Sequence, residues 1–197
     1  MKRLFDVVAA TCGLVTLSPL LVGVSICIKL DSEGEVFFRQ ERVGKDGKIF
    51  KIHKFRTMTT NAYNDGGGLT IGNDNRITSV GRLLRKFKVD ELPQLIDVLK
   101  GDMSLVGPRP EIPEFMVLYS DEDRQKILSV KPGITDKASI ELIDENEILA
   151  QYENPRQAYI DVIMPLKAKY YIEYVNNQNL KGDIEIILRT LAKIIAK

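Results

Sequence analysis

Two adjacent carboxylates, Asp90 and Glu91, open a segment in which Leu92, Leu95, Ile96 and Leu99 recur at helical spacing. Pro93 fits the first turn of such a helix, where its missing donor costs little, so Asp90 is expected at or near the N-cap. Lys100-Gly101 supplies the stop. A carboxylate at that position sits in the positive potential of unpaired amides and the helix dipole. It stays ionised, and an arriving phosphate finds donors waiting. For an isolated Asp-Glu pair, capping alone is a sufficient account. This pair, however, follows a basic stretch with Arg76, Arg82, Arg85, Lys86 and Lys88, and it precedes the stiff turn Gly107-Pro108-Arg109-Pro110. Paired carboxylates among fixed cations are the equipment of metal-assisted phosphoryl transfer, where a divalent ion and guanidiniums offset developing charge. A carboxylate can also be the nucleophile itself, through an aspartyl-phosphate.

Other elements must hold these groups in place. Two β-rich runs flank Gly44-Lys45-Asp46-Gly47, and Asp-Gly between such runs is a hairpin signal. Period-two alternation puts Phe50, Ile52, Lys54 and Arg56 on one face of the second strand. Lys54 and Arg56 therefore project side by side, either as solvent decoration or as an anion holder. Residues 61–75 read as a loop around Gly66-Gly67-Gly68, with neither a P-loop nor a dinucleotide fingerprint. Residues 78–87 read as a helix with Val80, Leu83, Leu84 and Phe87 as its apolar stripe. Lys131-Pro132-Gly133-Ile134-Thr135 reads as a turn, and 155–175 as helix, with Pro165 starting or kinking a second segment. The last stretch, 180–197, lines up Ile184, Ile187, Leu188, Leu191 and Ile195. Such a stripe suits a core or, with Lys181, Arg189, Lys193 and Lys197 beside it, a membrane surface.

The apolar run over residues 7–28 just reaches the roughly 20 residues that cross a bilayer. Ser18-Pro19 interrupts it, and the carbonyl freed by proline needs another partner, such as the Ser18 hydroxyl. Lys2 and Arg3 precede the run and Lys29 follows it, so both ends favour the cytoplasmic side. A helix that enters, bends at Ser18-Pro19 and leaves by the same face satisfies length, break and charge together. A signal peptide and a straight, kinked anchor are the competing readings. Asp6 is expected in the headgroup region. Cys12 and Cys27 both lie inside the run, as small lipid-facing or packing residues and not as a disulfide or metal framework. His53 lacks metal-ligand partners at useful spacing and reads as structural. The 197 residues carry a formal charge of +1, from 28 basic and 27 acidic side chains, so nothing global points to nucleic acid. The local basic stretch suits a solvated face or anionic headgroups.

The strings Arg39-Gln40-Glu41-Arg42-Val43-Gly44, Lys54-Phe55-Arg56-Thr57-Met58, Arg76-Ile77-Thr78-Ser79-Val80-Gly81-Arg82-Leu83-Leu84-Arg85, Asp90-Glu91-Leu92-Pro93-Gln94, Gly101-Asp102-Met103-Ser104-Leu105-Val106-Gly107-Pro108-Arg109-Pro110 and Lys131-Pro132-Gly133-Ile134-Thr135 resemble the bacterial sugar transferases. These are the small monotopic phosphoglycosyl transferases that start glycoconjugate assembly at the bacterial inner membrane. The resemblance covers nearly the whole chain. It implies an α+β fold in which residues 1–30 form a re-entrant membrane helix broken at Ser18-Pro19. Residues 31–197 would then form a mainly helical cytoplasmic catalytic domain with a small β-hairpin. It further implies transfer of a sugar 1-phosphate from a UDP-sugar to a polyprenyl (undecaprenyl) phosphate, with release of UMP. Asp90 matches the nucleophile that forms a covalent phosphosugar intermediate and is the expected Mg2+ ligand. Glu91 matches its partner, assisting deprotonation of the acceptor phosphate or holding the magnesium site. Lys54, Arg56, Arg85 and Arg109 are expected at phosphate or nucleotide contacts, and Asp183 at a late acidic position for which helix capping is an adequate alternative. Family members often follow Pro-Gly-Ile-Thr with Gly and an aromatic, Gln-Val-containing segment. Asp136-Lys137-Ala138-Ser139-Ile140 stands there instead, which touches donor identity more than reaction type. A catalytically silent membrane adaptor is the alternative from another class, and a homo-oligomer stays open. Among donors, the family analogy leans towards an N-acetylated amino sugar.

Overall fold

The computed structural model describes residues 1–60 and 74–196. The Gly66-Gly67-Gly68 loop lies outside the described residues. The first element, α1 (Lys2–Asp31), is an uninterrupted helix with Pro19 inside it. Proline removes the amide that would reach the Val15 carbonyl, and Ser18 Oγ donates to that carbonyl at 2.8 Å. The substitute bond keeps the chain helical through the pair, so Ser18-Pro19 leaves no gap in the helix. Thr11, Thr16 and Ser25 likewise donate to carbonyls one turn back, so their hydroxyls present no unpaired donor on an apolar helix.

Both ends of α1 are fastened to the rest of the chain. At the start, Lys2 pairs with Asp183 at 2.6 Å and donates to the Val106 carbonyl at 3.0 Å. Arg3 donates to the carbonyls of Val98 and Leu99. Asp6 departs from its expected headgroup position: it is 2% exposed and accepts from Ser104 Oγ and the Leu105 amide. A buried carboxylate needs such donors, and a strand edge offers them. At the far end, Arg56 donates to the carbonyls of Ile28, Ser32 and Glu33, and Asp31 accepts from the Val80 amide at 3.1 Å. Between these anchors Val15 and Val22 are 68% and 60% exposed. The helix is long and apolar enough to cross a membrane.

β1 (Phe37–Val43) and β2 (Ile49–Phe55) form the antiparallel hairpin, closed by Asp46 and Gly47 with φ of 56° and 77°. Phe50 and Ile52 face inward as the alternation requires. His53 is buried as well, because its amide and Nδ1 both engage Asp97, which gives it the structural role expected of it. α2 (Ser79–Lys86) is capped by Thr78, whose Oγ1 accepts from the Gly81 amide. α3 (Gln94–Lys100) ends at Gly101 with φ of 90°. β3 (Ser104–Val106) pairs in parallel with β4 (Gly133–Thr135), so the expected turn at 131–135 is a strand. Glycine makes this pairing feasible: a Cβ on Gly133 would lie 2.1 Å from the Gly107 nitrogen.

The remaining helices are α4 (Pro113–Met116), α5 (Asp121–Leu128), α6 (Lys137–Glu141), α7 (Glu145–Leu149), α8 (Pro155–Ala158), α9 (Met164–Asn177) and α10 (Leu180–Ile195). A single π turn, Tyr159–Ile163, joins α8 to α9, and Pro165 lies in the first turn of α9. The largest core cluster gathers Phe115, Met116, Leu149, Tyr159, Ile163 and Tyr171. The α10 stripe stays outside that core, with Leu188 61% and Ile195 84% exposed. The architecture is α+β: mainly helical, with two two-stranded sheets among the described residues.

Candidate active site

Lys88 takes a left-handed conformation, φ 54°, and turns the chain sharply out of α2. Helical turns therefore resume early, as a 3-10 turn over Val89–Glu91, while α3 itself starts at Gln94 with Pro93 as its N-cap. Asp90 thus departs from the expected capping position. It makes no capping bond and lines the groove instead. The carboxylate is 2% exposed. Its Oδ2 lies 2.9 Å from Lys54 Nζ, and its Oδ1 is buried without a hydrogen-bond partner among the described residues. Such an orphaned oxygen is costly unless a ligand, a cation or a reacting group meets it.

Glu91 is held from two sides. Lys54 Nζ donates to its Oε1 at 3.2 Å, and Arg109 donates two bonds, one of them 3.2 Å from Nη1 to Oε2. Lys54 thereby bridges the two carboxylates. Burial would raise the Glu91 pKa, but Arg109 and Lys54 overcome it and hold the group well below its ordinary value of 4.5. Glu91 in turn raises the Arg109 pKa against the effect of burial. Arg85 is tied to the hairpin through Thr57 Oγ1 at 2.8 Å.

These groups share one groove of about 1130 Å³, lined by Lys54, Arg82, Arg85, Lys86, Lys88, Asp90, Glu91 and Arg109 among others. Lys54, Arg85 and Arg109 are therefore brought together with the two carboxylates. Two expected members are not. Arg56, 7% exposed, spends both Nη atoms on carbonyls at the end of α1 and does not line the groove. Asp183, 1% exposed, is bound by Lys2 and the Tyr174 hydroxyl. The departure has one cause in both cases: strand alternation and helix position give a direction, and tertiary contacts give the partner. Three further polar groups carried no functional signal on their own. Gln94, 1% exposed and with no partner for either amide atom among the described residues, opens α3 four residues after Asp90. Arg42 and Glu111 line the same groove, inside or next to motif strings that were read for other residues.

The orphaned Oδ1 of Asp90 also bears on magnesium. Mg2+ takes one or two carboxylates and completes its shell with substrate phosphates and water. No group of three or more His, Cys, Asp or Glu side chains forms a metal cluster among the described residues. One carboxylate oxygen left unsatisfied among the described residues, in a basic groove with room for a diphosphate, therefore fits magnesium brought with that diphosphate better than a cage of protein ligands alone.

A family model described as bacterial sugar transferase matches residues 1–197. The chain belongs to the bacterial sugar transferase family. Each motif string quoted above contributes at least one residue to the groove lining. An exopolysaccharide production protein of Rhizobium leguminosarum is 49% identical over 100% of this chain and 96% of its own length. A UDP-N-acetylgalactosamine-undecaprenyl-phosphate N-acetylgalactosaminephosphotransferase of Aeromonas hydrophila is 36% identical over 99% of the chain. A UDP-glucose:undecaprenyl-phosphate glucose-1-phosphate transferase of Escherichia coli is 37% identical over 98%. This sugar transferase chain spans 44% and 40% of those last two proteins.

Proposed function

We propose that this chain transfers a sugar 1-phosphate from a UDP-sugar to undecaprenyl phosphate at a membrane surface, as an early membrane step of glycan assembly. The observation that carries the reading is Asp90: an ionisable carboxylate in the wall of a basic groove, with one oxygen held by Lys54 and the other unpartnered among the described residues. Asp90 attacks the phosphorus that bears the sugar. An acyl-phosphate P–O bond forms as the bond to the bridging oxygen breaks, and UMP leaves with the electron pair. An oxygen of the polyprenyl phosphate then attacks the same phosphorus, the aspartyl P–O bond breaks, and the Asp90 carboxylate returns. Lys54, Arg85 and Arg109 offset the charge that builds on the phosphoryl oxygens. Glu91, with its pKa pushed down, is a poor base at neutral pH and serves to aim Lys54 and Arg109. Asp90 would hold magnesium, which when bound would draw negative charge from the diphosphate oxygens.

The membrane reading follows from α1. A spanning helix separates its two ends across roughly 30 Å of hydrocarbon. Here Lys2, Arg3 and Asp6 at one end and Asp31 at the other are bound by polar groups of one catalytic domain. That supports a helix whose two ends stay on the same side of the membrane as the domain, with its exposed apolar middle and the exposed α10 stripe turned to the lipid surface. Lys2, Arg3 and Lys29 favour the cytoplasmic face.

The test is UMP release from a panel of UDP-sugars with undecaprenyl phosphate and magnesium. Asp90→Asn is expected to lose on the order of 10³-fold or more in turnover. Without acceptor, the wild-type chain is expected to gain the mass of one phosphosugar, and Asp90→Asn none. Turnover of Asp90→Asn within tenfold of wild type would sink the covalent route, and no turnover of any UDP-sugar by wild type would favour the adaptor.

A further inference from the structure

The lining of the groove divides by chemistry. Beside the carboxylates, Phe5, Ala9, Leu191 and Ile194 present apolar surface from α1 and α10, while Arg42, Glu111, Tyr159 and Lys167 present a polar one. The polar group is a linked network. Tyr159 donates its hydroxyl to Glu111 at 2.8 Å, and Lys167 donates to Tyr159 at 3.1 Å and pairs with Glu145 at 2.9 Å. Glu111, Tyr159 and Lys167 are 4%, 3% and 6% exposed. Burying a lysine and a glutamate in a core is expensive, and apolar residues of similar volume would do the purely structural task at least as well. Arg42 feels the charges of both groups, Glu111 and Tyr159 of the network and Arg109 and Glu91 of the reaction centre. Its Nη atoms donate to the Pro110 carbonyl and to Gln40, while its Nε is buried with no partner among the described residues.

We propose that Glu111, Tyr159, Lys167 and Arg42 bind the glycosyl group of the donor and set which sugar is accepted. The proposal rests on the nucleotide-sugar reading above. A pyranose is recognised through several hydroxyls at once, which a carboxylate, an ammonium, a guanidinium and a phenol satisfy together. A uracil ring wants an open aromatic face, as nucleobases do generally. The faces here are taken: Lys167 Nζ lies 4.6 Å from the Tyr159 ring centre, Arg156 sits over Phe115 at 5.5 Å, and the two rings pack on each other at 4.7 Å. Burial and Glu111 raise the Tyr159 pKa well above its ordinary value, so the hydroxyl keeps its proton, which it shares with Glu111 until a sugar hydroxyl competes for it. Ser139 and Ile140 also line the groove.

The test uses the full chain in vesicles, with kcat/KM measured for UDP-N-acetylglucosamine, UDP-N-acetylgalactosamine, UDP-glucose and UDP-galactose, and inhibition by UDP measured alongside. Lys167→Met and Tyr159→Phe are each expected to change the preference between the best donor and its stereoisomer by about tenfold or more. UDP inhibition is expected to stay within about twofold, since UDP lacks the sugar. Equal losses for all four donors, or UDP inhibition weakening in step with them, overturns the proposal. If Lys167→Met does not fold, Tyr159→Phe decides, because it removes one hydroxyl and keeps the ring. Wild type that turns over none of the four fails the parent reading first, and a changed donor ratio can then no longer be claimed.

Discussion

Glu91 accepts from Arg109 and Lys54 together, and this sets the pH response of the site. Its folded pKa lies below the ordinary 4.5, so the unfolded chain binds the proton more readily. The stabilisation is therefore fully present above pH 4.5 and is lost as pH falls toward the folded value. Glu91→Gln is expected to lose stability relative to wild type at neutral pH, with the gap closing in acid. Urea unfolding from about pH 7 down to about pH 3 measures it, and a gap that does not change with pH would refute the assignment. The adjacency of Asp90 and Glu91 to so many cations was legible in the chain. That Glu91 accepts from two cations at once was not, since one of them is an arginine 18 residues away. The spare capacity of Asp90 Oδ1 was equally hidden, because a sequence displays donors and acceptors but not which of them remain unpaired.

Close approach of elements sharpens the site. A Cβ on Gly81 would lie 2.1 Å from the Thr57 carbonyl oxygen, which is backbone and cannot swing aside. Gly81→Ala is expected to cost about 1–3 kcal/mol by urea unfolding. It should also lower activity, because pushing α2 off the hairpin disturbs the Arg85–Thr57 bond. Arg56 acts on the same scale. Arg56→Met leaves the Ile28, Ser32 and Glu33 carbonyls without their donor, and a loss of about 1–3 kcal/mol is expected, with earlier proteolysis at the end of α1. Measured stability equal to wild type would contradict this anchoring role. Helix and hairpin positions were readable from periodicity, from Asp-Gly and from Gly101. The parallel β3–β4 pair was not, because three residues per strand are too few to show a period, and Gly133 reads as turn chemistry until its partner is known.

At the scale of the molecule, α1 has two ends on one domain and an apolar middle facing outward. With Cys12 and Cys27 replaced by serine, single cysteines at Leu4 and Leu30, 70% and 83% exposed, are expected to label from the same side of sealed vesicles. Labelling from opposite sides would mean a spanning helix. The apolar run, its proline and its basic flanks were written in the sequence, since hydropathy and charge are local properties. So were the family motifs and the helical or extended character of most segments, which follow from spacing of three to four residues or of two. Only the tertiary structure decided that Lys2 meets Asp183, that Arg56 donates to carbonyls at the end of α1, and that Arg42, Glu111, Tyr159 and Lys167 line one groove with Asp90. Those pairings join residues as many as 181 positions apart. No periodic signal along the chain encodes them, because a buried charge chooses its partner only when folding has removed water from both.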